Sequence, residues 1–480
     1  MAFTARRMLF SAMAAAGVAA SAVGTAAVAG EGSLYPQATL GENDELSAAL
    51  GGAAYVLNDI GQDEAFRRAV NMAIAAHPNF HVQASLAAQA RAETRAARAA
   101  LYPRISANIN GDYVIARRFG AATDNVVESL RPDGQINAGA SVSQLIFDGG
   151  ATFAKIRSAK ARRRENALSL DARVNELALS ALSAYHDLAV HQAILTMGRE
   201  YIAHHEKLLA DVKERERLGS GTKADVLRAT ARLAAARGRI SQIEESAQIA
   251  EIRYTEFFST EPGRLNFPSF DSLAVGSQEE AIAMATSRNP VLAAAVARAD
   301  GARADYKAAK ASRIPELRAN VSGTKFDVID GGGDYDVRAG VTMNYDIFAG
   351  GARGAEISSA RSEAERQRFE EEQVRQEIGR EAAIAFEQKK SADARLAIMT
   401  EAVISNDQAR DLVAERFRVA RGDLLDLLQA ENDWFDAGVA FLTALAERDM
   451  TNYQMMEFTG DLLRFFSPQP EYAGEVAADG

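Results

Sequence analysis

The chain has 480 residues, of which 48% are hydrophobic and 25% charged, a balance that fits a folded protein and excludes a disordered one. A net charge of −11 argues against nucleic acid as the main partner. The absence of cysteine removes disulfides, zinc–thiolate sites, cysteine catalysis and any cysteine-linked lipid anchor.

Arg6 and Arg7, the alanine-rich apolar run from Met8 to Thr25 and the Ala27-Val28-Ala29 motif predict a signal peptide over 1–29 and a mature chain from Gly30. Residues 30–62, Gly-rich and polar, read as an irregular lead-in. A first structural repeat is expected over 63–258. It opens with a helix from about Glu64 to Ala100, interrupted near His77-Pro78. Strands follow at about 103–117 and 134–147, then a proline-free long helix over 151–218, the turn Gly219-Ser220-Gly221-Thr222, and a return helix over 223–258. Residues 259–277, with Pro262, Gly263 and Pro268, read as a linker. A second repeat over 278–465 follows the same plan: a helix, strands at about 315–327 and 334–348, a long helix over 352–419 and a return helix over 423–465, before a tail at 466–480. One offset relates His77-Pro78 to Asn289-Pro290 and Pro103 to Pro315. A second, shorter offset relates Phe147 to Phe348 and Asp225 to Asp426. The chain therefore reads as an internal duplication with a longer loop in its first hairpin.

The strands alternate strictly. Tyr335, Val337, Ala339, Val341, Met343, Tyr345 and Ile347 fall on one face, and Asp336, Arg338, Gly340, Thr342, Asn344 and Asp346 on the other. Ile105, Ala107, Ile109, Tyr113 and Ile115 likewise oppose Ser106, Asn108, Asn110 and Asp112. Such alternation suits a half-buried soluble sheet or a membrane barrel with apolar residues to lipid. The signal peptide, and the lack of a spare amphipathic helix to cover the apolar face, favour the barrel. No later segment has the run of about 20 apolar residues that a spanning helix needs. Four strands cannot close a barrel, so copies must pool strands into a ring, and three copies would supply twelve. Leu170, Val174, Leu177, Ala181, Ala184, Leu188, His191 and Leu195 step by four and three along the first long helix, a coiled-coil repeat. A helix of that length spans on the order of 100 Å, several bilayers, and must project through water.

The sequence carries no catalytic constellation and predicts no enzyme and no cofactor. The histidines (His77, His81, His186, His191, His204, His205) lack a third ligand at metal spacing, and H-E-x-x-H is missing. His204-His205 and Arg162-Arg163-Arg164 read as solvated helix surface, and Gly331-Gly332-Gly333 as a hairpin turn.

The pattern resembles the TolC-like outer membrane channels of Gram-negative bacteria over roughly residues 63–465. The junctions Leu145-Ile146-Phe147-Asp148-Gly149-Gly150 and Tyr345-Asp346-Ile347-Phe348-Ala349-Gly350-Gly351 carry the likeness, with the tip motifs that start at Arg217 and Arg418. The run Gln429-Ala430-Glu431-Asn432-Asp433-Trp434-Phe435-Asp436-Ala437 is similar to members that serve type I secretion. The resemblance implies a mixed membrane β-barrel and α-helical barrel. Each chain contributes four strands and long coiled-coil helices, closing as a homotrimer of twelve strands and twelve helices. It implies an outer membrane location with a long periplasmic extension, and a passive exit duct. A periplasmic adaptor would dock on Leu218, Gly219, Ser220, Gly221, Thr222, Val419, Ala420 and Gly422, linking the duct to an inner membrane transporter of ABC type. It places Asp426 in an acidic ring at the constriction and Asp225 among the polar links that close the tip. Two departures stand out: Ala420 replaces the family's tip glycine, with Gly422 two places on, and Gln429 replaces its second acid. Arg418 and Arg421 are the candidate basic partners. For Asp225 and Asp426, simple capping of helix starts is the alternative. The competing functions are the exit duct of a drug or metal efflux pump and a periplasmic coiled-coil scaffold without a channel.

Overall fold

A computed structural model describes residues 44–61, 63–116, 118, 133–268, 275–329, 333–419 and 421–467. The signal peptide, the linker tip at 269–274, Gly331-Gly332, Ala420 and most of the C-terminal tail lie outside them. Thr39–Gly480 forms one compact unit. In chain order its elements are α1 (Asp44–Leu50), a 3₁₀ segment (Gly51–Leu57), α2 (Glu64–Ala76), α3 (Pro78–Ala99), β1 (Arg104–Tyr113), β2 (Gly134–Phe147), α4 (Ala151–Arg217), α5 (Lys223–Phe258), α6 (Gln278–Arg288), α7 (Pro290–Ala311), β3 (Glu316–Lys325), β4 (Tyr335–Asn344), α8 (Ala352–Arg418), α9 (Leu424–Thr459) and α10 (Leu462–Phe465).

The two long helices, α4 and α8, have 67 residues each, and the return helices α5 and α9 have 36 each. The short helices extend the return helices. His77 at the start of α3 stacks on Phe257 at the end of α5, with ring centroids 5.4 Å apart. Asn289 at the start of α7 donates from Nδ2 to the Phe458 carbonyl at the end of α9, 3.3 Å away. Pro78 and Pro290 each occupy a first helical turn, where no amide donor is needed, and His77 and Asn289 cap the exposed amides. The chain therefore builds four columns, two continuous and two composite. Leu177, Ala181 and Leu188 of the heptad stripe are buried between them, with Trp434, Phe435 and Phe441 of α9 at the centre of the main core.

Three expectations need correction. Residues 30–62 are not all irregular: α1 and the 3₁₀ segment bury Leu46, Ala49, Leu50, Ala53 and Val56, almost fully, against the long helices. Trp434 Nε1 donates to the Ala49 carbonyl (2.8 Å), and Glu200 Oε1 accepts from Gly52 N (2.8 Å). The second return helix does not reach residue 465. It stops at Thr459 because Gly460 turns left-handed (φ +73°), where an added Cβ would meet the Arg288 carbonyl oxygen at 2.9 Å. The last strand ends at Asn344 rather than 348, since its partner β3 begins at Glu316, directly opposite Asn344.

Candidate channel wall and helix-tip constriction

The four strands form one antiparallel sheet in the order β1-β2-β3-β4. The register places Ile105 opposite Val142, Val142 opposite Val321, and Val321 opposite Ala339, so one face is apolar across the full width of the sheet. The other face aligns Ser106 with Ser141, Ser141 with Ser322, and Ser322 with Arg338. The parity inverts at Gln144 and Leu145, just before the bulge at Leu145/Phe147. There Gln144 donates from Nε2 to the Leu101 carbonyl (3.1 Å) and ties two strand ends together. Ile105, Ile109, Tyr113, Tyr335, Val337, Val341 and Met343 on the apolar face are 64–77% exposed. β1 and β4 each have one free edge among the described residues. No helix among the described residues is long and apolar enough to cross a membrane.

β2 and β4 each pass to a long helix through two successive left-handed glycines, Gly149-Gly150 and Gly350-Gly351. Asp148 caps α4, accepting from Gly150 N and Thr152 N at 3.0 and 2.7 Å. Ala349 has no such side chain, and Arg353 instead donates to the Asp346 carbonyl (2.8 Å).

At the far end, Gly219 takes φ +77° and the amides of Ser220 and Gly221 both donate to the Arg215 carbonyl. Thr222 and Asp225 form a reciprocal capping box: Thr222 Oγ1 accepts from Asp225 N at 3.2 Å, and Asp225 Oδ2 accepts from Thr222 N at 3.2 Å and from Thr222 Oγ1 at 2.6 Å. Asp225 also lies 3.8 Å from Arg228. Asp225 is thus a helix cap in this chain. The cap of α9 is Asp423, which accepts from Leu425 N (3.2 Å), and Asp426 stands one turn in, exposed and without an ion pair among the described residues. Gln429 donates to Asp433 (2.7 Å) and Arg418 pairs with Glu415 (2.6 Å). Among the described residues Arg421 donates through its backbone, to the Arg416 carbonyl at 2.9 Å. The fold brings Leu218 to Thr222 together at one tip, with Val419, Arg421 and Gly422 in the neighbouring turn, while among the described residues Asp225, Asp426, Gln429, Arg418 and Arg421 make no direct bond to one another.

What joins the tips is a cluster that the motifs do not reveal. Leu208, Val212, Phe417, Leu424, Leu427 and Leu428 form a small buried core. Arg215 lies with its guanidinium 4.1 Å from the Phe417 ring centroid and donates to the Phe417 carbonyl at 2.9 Å. The paired leucines at the start of α9, Leu424-Leu425 and Leu427-Leu428, were the available signal; the role of Arg215 follows only from the fold.

Midway along the helices, the pair read as solvated surface is not so. His205 is buried, which pushes its imidazole below the usual range, and His204 lies 3.0 Å from Glu431. Burial drives His186 down to about 3 and Asp449 up to about 7. Arg448 Nε lies 2.8 Å from Asp449. Among the described residues no group of acids and histidines could hold a metal ion.

The family model for the outer membrane efflux protein matches residues 69–256 and 281–461. The outer membrane efflux protein BepC of Brucella suis is 25% identical over 358 residues, 73% of this chain and 76% of BepC. Protein CyaE of Bordetella pertussis is 23% identical over 411 residues, 84% of this chain and 85% of CyaE. The crystal structure of the outer membrane protein VceC from Vibrio cholerae superposes with a TM-score of 0.72 at 16% identity, over 85% of this chain and 98% of VceC. The chain belongs to the outer membrane efflux protein family of TolC-like channels, and its location is the outer membrane.

Proposed function

We propose that three copies close the sheet into a twelve-stranded barrel and the columns into a twelve-helix tunnel, forming the passive exit duct of a tripartite type I secretion system. The observation that carries this reading is the sheet itself: its apolar face is uncovered, its two edges are open, and two 67-residue helices leave it directly. In lipid, open edges are costly and must pair with another copy. Along α8, Ile384, Ile398 and Leu412 stand exposed at two-heptad intervals, an apolar seam for a neighbouring copy. A periplasmic scaffold without a channel would leave both surfaces bare. The tip segments would dock the adaptor, and an inner membrane transporter would supply the energy. In the ring, three Asp426 carboxylates would stand close together, repel one another and attract cations.

The test is planar-bilayer conductance of the purified mature protein, wild type against Asp426→Ala. Discrete channels whose response to divalent cations weakens in the variant are expected. Channels unaffected by the substitution would remove Asp426 from the constriction. The resemblance of Gln429–Ala437 to secretion members supports protein export. The name of BepC supports a second reading, an efflux duct. Deleting the gene separates them: loss of a secreted polypeptide from the medium marks the first, and drug or metal sensitivity without that loss marks the second.

A further inference from the structure

Below the sheet, α4 and α7 pack closely through small residues; a Cβ added at Gly301 would meet the Ala161 Cβ at 3.6 Å. The two sides of this seam differ in charge. On one side the cations are matched: Arg162 pairs with Asp305 at 2.8 Å and Arg298 with Glu165 at 2.7 Å. On the other a cleft of about 360 Å³ is lined by Arg157, Lys160, Arg164, Arg303 and Lys307, against one acid, Asp300. Asp300 is engaged by Arg303 at 2.9 Å. Arg157, Lys160, Arg164 and Lys307 are exposed and have no ion pair among the described residues. Four unneutralised cations converging on one cleft repel one another unless an anion joins them.

The cleft's position indicates which anion. Phe153, Arg157, Lys160 and Arg164 follow at three- and four-residue steps and share one face of α4. Phe153 is 59% exposed and sits nearest the sheet; Ile314, 43% exposed, lies just past the end of α7. An exposed aromatic ring followed by long cationic side chains is the order found where a protein leaves a bilayer. A water-filled lumen would give Phe153 nothing to bury against, and with the sheet read as the membrane wall its ring is placed at the lipid boundary. By helix rise, Arg157 stands about 9 Å, Lys160 about 14 Å and Arg164 about 20 Å below the start of α4, and Lys307 about 6 Å from the end of α7, so Arg157 and Lys307 form the end of the cleft nearest the headgroups. The headgroup zone of one leaflet is about 5–8 Å deep.

We propose that this cleft binds the phosphate of an anionic lipid headgroup in the periplasmic leaflet of the outer membrane, fixing the base of the helical section to the bilayer. The inference rests on reading the sheet as the membrane wall. The two arginines on α4 present forked donors suited to phosphate oxygens, and Lys160 and Lys307 add point charge from both helices.

The full-length protein, purified in maltoside micelles, is titrated with short-chain phosphatidylglycerol. Bound lipid is counted by native mass spectrometry and the thermal midpoint is followed. The triple variant Arg157→Gln, Lys160→Gln, Lys307→Gln orphans no ion-pair partner and is expected to fold. Lys155→Gln, Lys207→Gln, Lys213→Gln removes the same charge elsewhere on α4. Saturable binding to wild type and control, weakened about tenfold or more in the triple variant, is expected, with Lys307→Glu alone shifting binding in the same direction. Equal binding by the triple variant, or equal loss in the control, overturns the assignment. Inorganic phosphate that reproduces the whole midpoint shift, leaving phosphatidylglycerol nothing to add, would make the cleft a free-phosphate site and also overturns it. The triple variant should keep its bilayer conductance. A wild type without conductance would sink the duct, whereas retained lipid binding in the triple variant would sink only the cleft.

Discussion

Arg215 does more at the tip than any residue that the motifs single out. Its Nη2 donates to the Phe417 carbonyl and its guanidinium plane covers the Phe417 ring, so one side chain adds to the leucine core in joining the ends of α4 and α8. Arg215→Ala should cost about 1–2 kcal/mol locally. It should speed hydrogen exchange over residues 415–428 and raise basal conductance, and Arg215→Lys should recover little because it lacks the fork. Unchanged exchange in Arg215→Ala would leave the leucine core as the sole tie. Deeper in the bundle, Asp449 and His186 set opposing pH dependences. Burial lifts Asp449 from 3.8 to about 7, so its contribution to stability is complete below the unfolded value and is lost as pH rises through about 7. Burial lowers His186 from 6.5 to about 3, so its contribution is complete above 6.5 and is lost as pH falls towards 3. Between about pH 4 and 6.5 the two slopes oppose. Asp449→Asn removes the first, and stability should then rise with pH relative to wild type by up to about 1.4 kcal/mol per unit. Urea midpoints at pH 4.5 and 6.5 give that difference, and parallel lines for the two proteins would refute it.

The elements show which local rules decide the fold. Gly460 ends α9 because the chain must turn left-handed against the Arg288 carbonyl, so Gly460→Ala should cost about 1–2 kcal/mol. It should loosen the stack of α9 on α7, seen as faster exchange at Leu292 and Ala293. The Asn289 side chain on the Phe458 carbonyl closes that stack. Most of this plan was legible in the sequence. Pro78 and Pro290 mark helix starts, paired glycines mark the strand-to-helix steps, and strict alternation marks the strand faces. These signals are local, set by backbone sterics and side-chain period. The packing of α1 was not legible, since Gly51-Gly52 reads as a loop until Glu200 and Trp434 arrive from far along the chain to bind its backbone. The tip was half legible. Thr222 and Asp225 spell a cap at the right spacing, whereas the tie through Arg215 depends on two helices meeting and leaves no pattern in either.

At the scale of the molecule, the sheet is divided into two chemical surfaces that one chain cannot both satisfy. Ile105, Ile109 and Val341 face outward on the apolar side with no covering element, while serines and asparagines line the other. A soluble protein would bury the first surface; a barrel wall gives it to lipid and the second to water. Neighbouring positions on β1 separate these cases, since Ile109 and Asn108 lie side by side on opposite faces. In a membrane wall, Ile109→Arg near mid-strand should cost about 2–4 kcal/mol and reduce the yield of heat-resistant oligomer in the outer membrane. Asn108→Arg should leave that yield intact and shift the channel's ion selectivity towards anions, because its charge enters the water-filled side. Opposite outcomes, with Asn108→Arg lost from the membrane and Ile109→Arg tolerated, would turn the sheet inside out. They would also move the Phe153 face of α4, and the basic cleft on it, from the lipid to the lumen.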